Sequence, residues 1–260
     1  MNLKSRHLRD FIKEIQYNNR NPQNVKALEL LNDISTNPEI ILDKNSLLYR
    51  CRIVSDKNEI GKEPDFYGYD AKGSFVPPRN ATKDMRANYK YIPYLYCSNN
   101  PYIALIEVRP QLSSMVSIAT IEIKEPIRLL DFTVQKKPSK MSESKKNLFL
   151  DLSMLFSKPV TDTDNDLDYI PTQYIAEYAK SAGYDGIAFS SSLVPEVNKS
   201  HPERYNIVIF NYSKCFVKKS NLASILGINI DSMQIDTDPE RLNIASFIEE
   251  KLSKISGLIG

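Results

Sequence analysis

Six short runs rich in β-branched and aromatic residues are dispersed along the chain, at 46–54, 92–98, 113–123, 127–133, 186–192 and 205–211. Each has strand length and each is separated from the next by turn residues or helical periodicity, so the fold has to gather distant segments into a sheet. Between them, "NNPYIALIEVRP" reads as a helix bracketed by prolines: Asn99 or Asn100 caps it, Pro101 suits its first turn and Pro110 ends it. "SESKKNLFLDLSMLF" and "PTQYIAEYAKSAGYDG" are further helices; Tyr174, Ile175, Tyr178, Ala179 and Ala182 form the apolar stripe of the second, and Gly183 suits a left-handed cap. Helical spacing of Val25, Leu28 and Leu31 predicts a helical N-terminal extension over 1–40, and "DPERLNIASFIEEKLSKI" predicts a helical C-terminal extension over 219–260. Residues 55–85, carrying Gly61, Pro64, Gly68, Gly73, Pro77 and Pro78, read as one long loop.

Charge excludes some functions and leaves others. The net charge of +2 comes from 34 basic and 32 acidic residues, so no bulk field draws the chain to nucleic acid or anionic lipid, and an anion site has to be local. The cysteines, Cys51, Cys97 and Cys215, have no CxxC spacing and read as reduced thiols. With no signal-like apolar core and no run of membrane-spanning length, a cytoplasmic protein is expected. Only His7 and His201 are present, which makes a Ser-His-Asp triad or a histidine-rich metal site hard to build. Eight glycines without GxGxxG or Walker spacing leave arginines to hold a nucleotide.

Glu107 stands out because it lies inside "IALIEV", on the helical face of Ile103 and Ile106. It is either an ion-pair partner of Arg86 or Arg109, or a carboxylate shielded from solvent and facing a cavity. Arg50 and Arg52, two apart on a strand, share a face; they form either a solvated charged edge or an arginine pair in one pocket. Tyr94 and Tyr96 also share a face and suit core packing or stacking on a heteroaromatic ring. Ser190, Ser191 and Ser192 follow a strand at its C-terminal end, as an ordinary loop or as ligand contacts. The alternating acids of "DTDNDLDYIPTQ" lack a calcium loop's glycine and closing glutamate, and read as a solvated acidic loop.

Taken in order, "LYR" (48–50), "FVPP" (75–78), "RANYKYIPYLYCS" (86–98), "ALIEVRP" (104–110), "TQYIAEYAKSAGYDGIAFSSS" (172–192) and "NIVIF" (206–210) resemble the RES domain, a bacterial family named for an arginine, a glutamate and a serine. Its usual "GRWN"-like stretch reads "MRAN" here. The resemblance implies a catalytic domain over 46–218 with an α+β fold: a mixed β-sheet core with flanking helices, related to the ADP-ribosyltransferases. It implies breakdown of NAD⁺ as substrate, with no cofactor and no metal, and an antitoxin protein as partner where the domain is a toxin. Homodimerisation is left open. By position, the family's arginine, glutamate and serine fall on Arg86, Glu107 and Ser191, with Arg50 and Tyr96 beside them.

On that resemblance, cleaving the nicotinamide–ribose bond develops positive charge on the ribose, which Glu107 would stabilise. Arg50 and Arg86 would grip the pyrophosphate, with Arg52 and Arg109 as further substrate contacts. Tyr96 would stack on nicotinamide, and Ser191 would hydrogen-bond the ribose or carboxamide. The acceptor is water or phosphate in one reading and a macromolecule in a second; a third treats the chain as a non-enzymatic nucleotide-binding module.

Overall fold

A computed structural model describes residues 3–23, 25–33, 37–133, 141–158, 166–191, 193 and 204–227. The strands are β1 (Glu39–Leu42), β2 (Leu47–Ile53), β3 (Leu95–Ser98), β4 (Met115–Ile123), β5 (Ile127–Asp131), β6 (Gly186–Ser190), β7 (Tyr205–Ile209) and β8 (Cys215–Ser224). They form one sheet in the order β1-β5-β6-β7-β3-β2-β4-β8. Only β5 and β6 run parallel; every other neighbouring pair is antiparallel. The helices are α1 (Arg6–Lys13), α2 (Lys26–Asn32), α3 (Ala71–Ser74), α4 (Pro101–Glu107), α5 (Glu143–Ser157) and α6 (Asp166–Ser181). The expected mixed sheet with flanking helices is therefore the architecture found.

One pairing is incomplete. Between β2 and β3 a single pair, Tyr49↔Ser98, is in register. Beyond it the strands diverge, and the Arg50 guanidinium donates to the carbonyl of Tyr96 at 3.4 Å, so an arginine meets a β3 carbonyl beside the split. β2 stays fully paired to β4 on its other side. The sheet thus opens like a wedge at Arg50 and Tyr96.

The N-terminal 40 residues are not an appendage. Leu8, Phe11 and Ile15 are fully buried in the same cluster as Phe132, Leu148, Phe156, Ile175 and Val208. Ser5 caps α1, its hydroxyl accepting from the Leu8 amide. A π-helical turn (Glu14–Asn18) follows, and it serves α6. Pro171 lies inside α6 and has no N–H to give the Leu167 carbonyl four residues back; Gln16 Nε2 donates to that carbonyl at 2.8 Å instead. Within 1–40, where a helical extension is expected, α1, the π-helical turn and α2 are helical, and Glu39 and Ile40 instead open β1, which pairs with β5. The helical C-terminal extension is corrected likewise at its start: residues 219–224 complete β8 on the sheet edge, paired to β4. Residues 225–227 follow without helix, and residues 228–260 lie outside the described residues.

The elements that build the site follow their sequence signals. Asn100 accepts the Tyr102 amide as the cap of α4 and Pro101 occupies its first turn. Gly183 takes φ +88° after α6, a conformation that a side chain would strain. α6 begins at Asp166, five residues before Pro171, so part of the expected acidic loop is helix. Among the described residues no helix is long and apolar enough to cross a membrane, and no cluster of potential metal ligands occurs.

Candidate active site

The split in the sheet opens into a cavity of about 610 Å³. Its floor is β3, β7 and β6, through Tyr96, Ser98, Asn206 and Ser190. α4 contributes Ala104 and Glu107 on one side, while the end of α5 and the start of α6 supply Ser157, Lys158 and Tyr169 on another. The 83–86 loop closes a third wall. Five cationic side chains line it, Arg50, Lys83, Arg86, Arg109 and Lys158, against two carboxylates, Asp84 and Glu107. A chain of nearly balanced charge therefore carries a local excess of cations where its sheet divides. A smaller cavity of about 250 Å³ adjoins it, sharing Arg50, Lys83, Met85 and Tyr96 and adding Tyr94.

Glu107 is the last residue of α4 and is exposed, so the expected shielding from solvent is wrong. The apolar stripe of α4 buries Ile103 and Ala104, but the helix ends before Glu107 is carried under it. The ion-pair alternative also fails: among the described residues Glu107 pairs with neither Arg86 nor Arg109. Two neutral donors hold it instead. Ser191 Oγ donates to Oε1 at 2.5 Å and Asn206 Nδ2 donates to the same oxygen at 2.6 Å. Ser191 thus spends its single proton on Glu107 while accepting from the Leu193 amide at 3.3 Å, and toward a ligand it can act only as an acceptor. A hydrogen bond between Ser191 and a ribose or carboxamide would therefore have the ligand as donor.

Arg50 donates through Nε to the Phe75 carbonyl at 3.1 Å, and no carboxylate pairs with it among the described residues. Burial, and secondly the charge of Arg52, lower its pKa to about 10, which leaves it cationic at neutral pH. Arg86, 9% exposed, donates to the Leu155 carbonyl at 3.1 Å and lies over the Tyr169 ring at 5.5 Å. Its loop is pinned from α6: buried Gln173 donates to the carbonyls of Met85 and Asn88, at 3.0 and 2.9 Å. Tyr96 donates to Asn88 Oδ1 at 2.7 Å and accepts from the Ala87 amide at 3.2 Å, which ties the β3 ring to the same loop. Burial raises its phenol pKa far above the usual range.

Arg52 does not join this set. It is exposed, donates to the Gly73 carbonyl and lies over the Tyr69 ring at 4.6 Å. It shares a face with Arg50, as alternation requires, but only Arg50 stands at the split. Arg109 does line the cavity, with its backbone in the left-handed region at φ 46°. Tyr94 faces the smaller cavity, where its hydroxyl donates to Glu177. Burial pushes the Cys51 thiol up to about 12 and Cys97 beyond it, so neither cysteine in the cavity wall is a nucleophile at neutral pH. Asn206 joins the site with a single sequence signal, an amide interrupting the apolar strand "YNIVIFN".

A model of the RES domain matches residues 52–228, about two thirds of the chain. The chain belongs to the RES domain family. The match extends the RES domain past the expected boundary at 218 and through β8, and it begins two residues after Arg50 on β2. No curated protein matches this RES domain protein. Among solved structures it is similar to a chain of the M. tuberculosis MbcT-MbcA toxin-antitoxin complex, at 9% identity over 76% of this chain and 92% of that one, with a TM-score of 0.44.

Proposed function

We propose that this RES domain protein consumes NAD⁺ by cleaving the bond between nicotinamide and ribose. The observation that carries the reading is Glu107: a carboxylate without a cationic partner among the described residues, fixed through one oxygen, on the wall of a cavity rich in arginine. Membership in the RES family supports the choice of NAD⁺. A cavity of this size suits a small-molecule ligand.

In this reading the C1′–N bond breaks with its electron pair going to the pyridinium, so nicotinamide leaves neutral. The ribose becomes an oxocarbenium ion that the Glu107 carboxylate stabilises. Arg50 and Arg86 bind the diphosphate, and Arg109 adds a third cation at the rim. The acceptor then bonds to C1′; water or hydrogen phosphate releases a proton as it does so. Because Glu107 is exposed in the open cavity, the bound dinucleotide itself has to exclude solvent from the reacting carbon.

The test is incubation of purified protein with NAD⁺, with and without phosphate, resolving products by chromatography. Free nicotinamide in equal amount to the NAD⁺ lost supports the reading, and the second product names the acceptor. Intact NAD⁺ in both buffers refutes it. A cognate antitoxin protein, the partner implied by family resemblance, would suppress that release when co-purified.

A further inference from the structure

Glu107 depends on a residue 99 positions away. Asn206 sits on β7 between Ser98 of β3 and Phe189 of β6, and is 9% exposed. Its Oδ1 accepts from Ser98 Oγ at 2.7 Å, while Nδ2 donates to Glu107 Oε1 at 2.6 Å. The amide can face only this way, because a carboxylate only accepts and a flipped amide would set oxygen against oxygen. Ser191, just past β6, donates to the same Oε1 from the other side. Two side chains thus meet on one oxygen of the last residue of a seven-residue helix, and one of them, Asn206, is itself held by Ser98 of the neighbouring strand. Among the described residues no hydrogen bond or ion pair reaches Oε2.

We infer that Asn206 is a positioning residue: its carboxamide, locked by Ser98, holds Glu107 Oε1 in place and leaves Oε2 as the oxygen that meets the substrate. The inference rests on Glu107 acting on NAD⁺ as proposed above. Glu107 is exposed and, among the described residues, pairs with no cation, so without Asn206 its rotamers are held by one serine. Positioning of this kind acts on the reacting centre and not on ground-state binding.

Asn206→Asp and Asn206→Ala test it. The aspartate variant is isosteric and keeps an acceptor for Ser98, but sets a second acceptor against Oε1. Displacing the carboxylate by about 1 Å predicts a fall in kcat of about 10²-fold. KM for NAD⁺ should stay within about twofold, as expected when an interaction made in the transition state is lost. Crystals of Asn206→Asp should show the Glu107 carboxylate moved off its present position with α4 and Ser98 unshifted. A carboxylate that stays in place, or a loss confined to KM, overturns the inference. If wild-type protein leaves NAD⁺ intact, the NAD⁺ reading fails separately, and the position of Glu107 in the variant crystals still decides whether Asn206 holds it.

Discussion

Glu107 is held by hydrogen bonds from uncharged groups, which fix its direction without neutralising it. A cation at the same distance would compete with any positive centre developing on a ligand; a serine and an asparagine do not. The nearest arginine in sequence has a different constraint. Arg109 follows the C-cap Val108 in the left-handed conformation, where glycine is usual, and Pro110 stops the chain from continuing as helix. A non-glycine residue there carries about 1–3 kcal/mol of backbone strain. Arg109→Gly should therefore match or exceed wild-type stability by up to about 1 kcal/mol in urea denaturation, while Arg109→Ala should not. Both variants lose a cavity cation and should raise KM for NAD⁺. Equal stability of the two variants would show that the backbone there is unstrained.

Strands β2 and β3 make the site by pairing at a single position, and helices α4, α5 and α6 wall the gap. At the opposite end of the sheet, β1 is secured by Arg128 on β5, which donates to Glu39 Oε2 at 2.9 Å. That hydrogen bond, opposed by burial and aided by Tyr184, lowers the Glu39 pKa below its ordinary 4.5. The unfolded chain then binds more protons in the acid range, so the stabilisation is present above pH 4.5 and fades as pH falls through the lowered folded value. Glu39→Gln should be less stable than wild type at pH 7 by an amount that shrinks below pH 4.5; a gap that widens with acid would contradict the assignment. Much at this level was legible in the sequence. The cap at Asn100, the proline brackets of α4 and the turn at Gly183 are local signals and appear where expected. Edge strands were not legible: β1 is only four residues and begins inside the stretch read as helical, and β8 interleaves Lys218 and Lys219 with few buried positions. Neither has a two-sided apolar pattern, because an edge strand is half solvated. Asn206 was missed for a related reason, since its partner is remote in sequence and no periodicity encodes a polar contact across three strands.

The N-terminal segment packs into the main core. Phe11 is fully buried and meets the Tyr174 ring edge-on at 5.5 Å, and Gln16 repairs the hydrogen bond that Pro171 cannot make. Phe11→Ala should cost about 3–5 kcal/mol and lower a single cooperative unfolding transition. An appended N-terminus would instead give an unchanged main transition, as seen by calorimetry. That packing also holds α6, which carries Gln173 and Tyr169 to the Arg86 loop, so the leader supports the cavity from behind. The cavity's chemistry is decided by one comparison: nicotinamide release from NAD⁺ by wild type and by Glu107→Gln, with both proteins shown to unfold at the same temperature. Release by wild type and a loss of about 10²–10³-fold in the variant is the predicted result, the magnitude expected when a group stabilising transition-state charge is removed. Release by the variant at the wild-type rate would contradict it.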